Sequence, residues 1–187
     1  MKKKNLLTTL FLAAALAGAL ALAGCAGQSP EEAIEADIAA QLDPIQNAEQ
    51  AAIDELSGMV DSSIDMSVYG IESAEYVKSL LSGFRYEVKD VVVDGDSATA
   101  TVAVTCKSFT DASTRVEELS ADFAENLSAS PTLSADDLAH KAGQLMMQAM
   151  DETEPKTTEC AFAYEKSGGS WTLSSEAEQE ISRAFFA

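Results

Sequence analysis

Apolar positions along the 187-residue chain change period several times, and each change marks a segment boundary. Leu6 to Leu22 is an apolar stretch dominated by Leu and Ala. From Ser29 the period becomes helical, with Ile34, Ile38 and Leu42 on one stripe. Ser29 is a candidate N-cap, Pro30 fits the first helical position and Glu32 completes a Ser-x-x-Glu capping box. Asp43-Pro44-Ile45-Gln46 repeats that signature and predicts a break at 43. The helix expected beyond it carries Ile45, Ala48, Ala52, Leu56, Val60 and Ile64, and runs past Gly58, which costs about 1 kcal/mol relative to Ala. A third helix is predicted over about 72–82, with Ala74, Val77, Leu80 and Leu81 apolar and Gly83 as its stop.

The period then falls to two. Phe84 to Val93 is rich in β-branched and aromatic residues. Tyr86 and Val88 share one parity and Val91 and Val93 the other, so a bulge is expected near Lys89–Asp90. Asp94-Gly95-Asp96 signals a hairpin turn. The next strand alternates Ala98, Ala100, Val102, Val104 and Cys106 against Thr99, Thr101, Ala103, Thr105 and Lys107. Residues 111–152 predict a helical pair. Val116, Leu119, Phe123 and Leu127 form the first stripe, Ser128–Thr132 the loop, and Leu138, Ala142, Leu145 and Ala149 the second stripe behind a Ser134-x-x-Asp137 cap. Cys160, Phe162 and Tyr164 alternate on a strand within 156–166, Ser167-Gly168-Gly169 is a turn, and Trp171 and Leu173 lie on a short return strand. A last helix is expected over about 175–185. This order of helices, hairpin, helical pair, hairpin and helix predicts an α+β fold. An antiparallel sheet of about four strands would be packed by helices on one face, with the helical pair inserted between the two hairpins.

Charge and leader bear on where such a domain works. Lys2, Lys3 and Lys4 precede the apolar stretch, and the small residues Ala23 and Gly24 follow it, the order of a secretory signal. The stretch is at the short end for crossing about 30 Å of hydrocarbon, so an uncleaved membrane helix is the weaker reading. Leu22-Ala23-Gly24-Cys25 resembles the lipobox of bacterial lipoproteins. That resemblance implies a diacylglyceryl group on the Cys25 sulfur and cleavage before Cys25. Removing the leader takes three of the 12 basic residues and none of the 31 acids, leaving 9 − 31 = −22. A surface so acidic repels phosphates and excludes nucleic acid as a partner. The expected layout is a signal at 1–24, the lipidated cysteine and a short tether at 25–28, and one domain at 29–187.

Gly83-Phe84-Arg85-Tyr86, Val91-Val92-Val93-Asp94-Gly95-Asp96-Ser97-Ala98-Thr99, Lys156-Thr157-Thr158-Glu159 and Gly169-Ser170-Trp171-Thr172-Leu173 resemble stretches of small lipoproteins, mostly from Gram-positive bacteria. Those belong to uncharacterised domain families of the cystatin-like/NTF2-like fold group. The resemblance implies a curved antiparallel sheet wrapped on helices, in some members around a conical pocket. Enzymes of the wider group carry Asp, His or Tyr inside the cone. Here the inward positions read as Val, Ala, Phe, Tyr and Cys.

Few residues offer reactive chemistry. Cys106 and Cys160 share the apolar parity of strands flanking the helical pair, and are read either as a disulfide or as two buried thiols. His140, the single histidine, falls away from the apolar stripe of its helix, where a solvated role is expected. Asp61, Ser63, Asp65, Ser67 and Glu72 sit at positions 1, 3, 5, 7 and 12 of an EF-hand-like spacing, but Met66 stands where that loop needs Gly. Asp61, Asp65 and Glu72 are therefore weak metal candidates, and a solvated connection between helices is the better reading. Met146, Met147 and Met150 fit packing better than soft-metal binding. No Gly-x-Ser-x-Gly elbow or glycine-rich phosphate loop occurs.

These readings lead to one expectation and two alternatives. The expectation is a membrane-anchored extracytoplasmic domain, non-enzymatic and without cofactor, that binds a partner protein, a peptide or a small apolar ligand. The first alternative is a hydrolase or isomerase of the cone-pocket type, which calls for a buried acid such as Asp90 facing a pocket. The second is a structural envelope component associating through its N-terminal helices.

Overall fold

The structure, a computed structural model, describes residues 28–127 and 133–186. The leader, Cys25 and the Ser128–Thr132 loop lie outside the described residues. No helix among the described residues is long and apolar enough to cross a membrane.

The chain opens with α1 (Pro30–Gln46), α2 (Gln50–Ser63), a 3-10 turn at Met66–Tyr69 and α3 (Ser73–Leu81). The hairpin β1 (Arg85–Asp94) and β2 (Ser97–Cys106) follows, then the pair α4 (Phe109–Leu127) and α5 (Ala135–Glu152). The hairpin β3 (Lys156–Ser167) and β4 (Ser170–Leu173) and the helix α6 (Ser175–Phe185) complete it. The four strands form one antiparallel sheet in the order β1-β2-β3-β4. The architecture is α+β.

Both capping boxes form, Ser29 with Glu32 and Ser134 with Asp137. The register between β1 and β2 shifts between Val88 and Asp90, so the bulge restores Val91 and Val93 to the side of Tyr86 and Val88. Gly95 takes φ +63°, as the two-residue turn requires.

The predicted break at 43 is misplaced. Helix α1 runs through Pro44 to Gln46 and the chain turns at Asn47–Glu49, where Ala48 adopts φ +48°. Proline near a C-terminus removes one hydrogen bond while its neighbours still cap the helix: Asn47 N donates to the Asp43 carbonyl and Glu49 N to the Pro44 carbonyl. The apolar stripe of α2 is correspondingly shorter. Ile53 and Leu56 are buried, whereas Ala48 lies outside the helix and Ile64 is exposed.

The main core lies between one face of the sheet and α1 and α6. It contains Ile34, Ile38 and Leu42 from α1, Ala100, Val102 and Val104 from β2, Phe162 and Tyr164 from β3, and Ile181 and Phe185 from α6. Satellite clusters join α2 to α3 (Ile53, Leu56, Val77, Leu81) and α4 to α5 (Leu119, Leu145, Ala149). At Gly143 of α5 the 3-10 turn comes so close that an added Cβ would lie 2.1 Å from the Tyr69 carbonyl oxygen. Lys107 follows β2 and is buried, donating to the Met150 carbonyl at 2.6 Å and so tying the sheet to the last turn of α5. Burial pushes its ammonium pKa down, against the opposing pull of Asp151 and Glu154.

Candidate functional site

The two faces of the sheet have different chemistry. On the covered face, two carboxylates of α1 accept from tyrosines of the sheet. The Tyr164 hydroxyl donates to Asp37 at 2.9 Å, and Asp37 also accepts from Gln41 at 2.7 Å. The Tyr86 hydroxyl donates to Asp43 at 2.6 Å. Burial is the main cause of the raised phenol pKa values, and the neighbouring carboxylates add to it; Tyr86 is pushed up to about 12 and Tyr164 further. Both rings are therefore neutral donors at physiological pH. Beside them, Ile38, Gln41, Leu42, Phe162, Tyr164, Leu173 and Ile181 line a cleft of about 10 Å³, room for about one water and too little for an organic ligand.

The opposite face is open toward the turn end of the sheet, where Thr99 and Ala161 are exposed, and closes toward the end of β2, where Ala103 and Thr105 are buried. Its floor is made of Thr99, Thr101 and Ala103 from β2 and Ala161 and Ala163 from β3, in rows fixed by the pairs Thr99↔Ala163 and Thr101↔Ala161. Val92, opposite Thr99, is 59% exposed. Carboxylates rim this floor: Glu87 and Glu159 flank Ala103 on either side, Asp90 pairs with Thr101, and Asp94 and Glu165 close the row through Ser97. The margin is acidic, with Glu87 paired to Lys89.

The strand edges are closed by side chains. Gln46 accepts from Tyr86 N at 3.1 Å on β1. Where β4 is too short to pair with β3, α6 takes its place. Glu180 accepts from Ala161 N at 3.4 Å, and Arg183 donates to the Glu159 carbonyl at 3.1 Å.

The residues singled out in the sequence do not assemble into one site. Cys106 and Cys160 are free and buried, which corrects the disulfide reading. Cys160 stands opposite Val102 and Cys106 opposite Lys156, four residues apart along β2. That separation is about 13 Å along the strand, well outside the Cα distances a disulfide spans. Burial is the main cause that pushes the two thiols up, Cys106 to about 12 and Cys160 to about 11. Asp90 is exposed at the bulge, away from the cleft, so it does not supply the buried acid of the cone-pocket reading.

The EF-hand-like spacing is dispersed. Asp61 accepts from Ser73 Oγ; Asp65 caps the 3-10 turn, accepting from Ser67 N at 3.2 Å and Ser67 Oγ at 2.6 Å; Glu72 is the exposed residue preceding α3. Among the described residues no group of three or more His, Cys, Asp or Glu side chains is placed to hold a metal ion. His140 is exposed and lies over Gly70, whose added Cβ would be 3.2 Å from the ring. Met150 is buried in the main core, and Met146 and Met147 are half-buried on α5.

No family model matches the chain, and no curated protein sequence matches it. Among solved structures, a candidate lipoprotein from Bacillus subtilis, YcdA, is similar over 80% of this chain at 15% identity and a TM-score of 0.46. The chain spans 47% of the length of that protein.

Proposed function

We propose that this chain is an extracytoplasmic lipoprotein, acylated at Cys25, whose domain is a non-enzymatic binding module held at the membrane. The observation that carries the reading is the leader. A lysine cluster, an apolar stretch and Leu22-Ala23-Gly24-Cys25 stand directly ahead of the capping box that starts the folded domain at Ser29. With a mature charge of −22, anchoring falls to the acyl chains, because basic side chains are too few to hold an anionic bilayer.

The binding part of the proposal rests on the uncovered sheet face. Its Thr/Ala floor admits the close approach of a partner backbone, and its acidic rim favours a partner with basic groups. The cleft lined by Ile38, Phe162 and Tyr164 has room for about one water and gives a small apolar ligand no support, so the proposal takes a protein or peptide as the partner. The proposal keeps the kinship with the cystatin-like/NTF2-like group, supported by a long helix laid across a four-stranded antiparallel sheet.

Metabolic labelling with an alkyne fatty acid tests the anchor. The wild-type chain should take up label in its native host and Cys25→Ser should take up none; equal labelling would overturn the assignment. A photo-reactive residue at Thr101 tests the binding face. It should give a discrete cross-linked partner that the same probe at exposed Glu55 of α2 does not give, and matching patterns from both positions would overturn the proposed face.

A further inference from the structure

The structure gives the tethered domain a direction. Near its C-terminus α1 meets Tyr86, which stands opposite Val104, and near its middle it meets Tyr164, which stands opposite Ala98. From Val104 to Ala98 the sheet advances six residues, about 20 Å, toward the turns at Gly95-Asp96 and Gly168-Gly169. The N-terminus of α1 therefore points to the turn end of the sheet. The helical pair and the 3-10 turn lie at the other end. Phe84 enters β1 there, Lys107 reaches the last turn of α5, and Gly83 meets Pro155.

Ala26, Gly27 and Gln28 are all that separates Cys25 from the Ser29 cap, a span of at most about 14 Å over four residue steps. Resting on the reading of Cys25 as the acylated residue, we infer that the turn end of the sheet is the membrane-facing end. The β3–β4 hairpin there would touch the headgroup layer of a phospholipid bilayer. Two residues are suited to that layer. Trp171, the chain's single tryptophan, is half-buried on the covered face beyond Leu173, and the Lys166 ammonium lies 5.6 Å from its ring centroid. An indole with an adjacent ammonium matches the polarity gradient of the interface, where aromatic rings sit at headgroup level and lysine reaches for phosphate. Asp94, Asp96 and Glu165 lie at the same end and keep the contact shallow, because carboxylates do not enter the acyl region. The uncovered sheet face then stands edge-on to the bilayer, open to a partner, and the 3-10 turn is the distal tip.

Trp171 is also the probe. The mature lipidated protein is reconstituted into phosphatidylcholine vesicles with and without a lipid spin-labelled near its headgroup, and intact mass confirms the acyl group in the same sample. Trp171 emission should fall on the order of twofold with the quencher present. A Trp171→Phe, Val68→Trp variant moves the indole to the exposed 3-10 turn and should lose almost none. Unquenched Trp171, or equal quenching at both positions, in acylated protein overturns the orientation and leaves the anchor standing. A mass without lipid removes the anchor, and the orientation with it.

Discussion

Two carboxylates of α1, Asp37 and Asp43, explain how a helix that also carries Glu31, Glu32 and Glu35 holds to an apolar sheet. Each is half-buried and accepts a hydrogen bond from a phenol that stays protonated. Replacing Tyr164 by Phe leaves Asp37 only its bond from Gln41, and is expected to cost about 1–2 kcal/mol in denaturant unfolding. The raised phenol and thiol pKa values set an alkaline limit. The folded state holds these protons more tightly than the unfolded chain does, so their stabilisation is complete below about pH 9 and is lost as pH rises toward 12. Unfolding midpoints should fall through that window, and Tyr86→Phe should flatten the part above pH 10. Buried and protonated, Cys106 and Cys160 should resist a thiol reagent in the native protein and both react in guanidinium, with no disulfide in the non-reduced mass. Their alternation in the sequence placed both thiols on the buried face correctly. It could not place them along the strand, because the register of β2 against β3 is a long-range pairing across the α4–α5 insertion.

At the scale of elements, local signals were readable wherever local chemistry decides. Ser29 with Glu32, Ser134 with Asp137, the bulge at Lys89–Asp90 and the Gly95 turn each follow from a few adjacent residues. The break at 43 failed because Asp43 and Pro44 look like the start of a helix, while Asp43 is engaged by Tyr86, 43 residues away, and holds the last turn of α1 on the sheet. The 3-10 turn was also missed, although Gly143 inside a helical stripe is the kind of position that marks a close approach. Two glycines make the contrast measurable. Gly58→Ala in α2 meets open space and should stabilise by about 0.5–1 kcal/mol through helix propensity. Gly143→Ala should instead destabilise by about 1–3 kcal/mol, since its methyl overlaps the Tyr69 carbonyl. Thermal melts of the two variants should move in opposite directions, and parallel shifts would mean that the 3-10 turn does not pack against α5.

For the whole molecule, the α+β fold class was legible because it depends on period over many residues, whereas the leader lies outside the described residues. The candidate binding face was only half legible. Period two gave its Thr and Ala positions, but which face the helices leave uncovered is a tertiary outcome. Its significance depends on the proposed anchor, which would fix where that face is presented. The most direct measurement is the intact mass and first residue of the protein purified from membranes of its native host. The account predicts a chain beginning at Cys25 with a diacylglyceryl group on sulfur. A chain beginning at Met1, or a Cys25 without lipid, would contradict it.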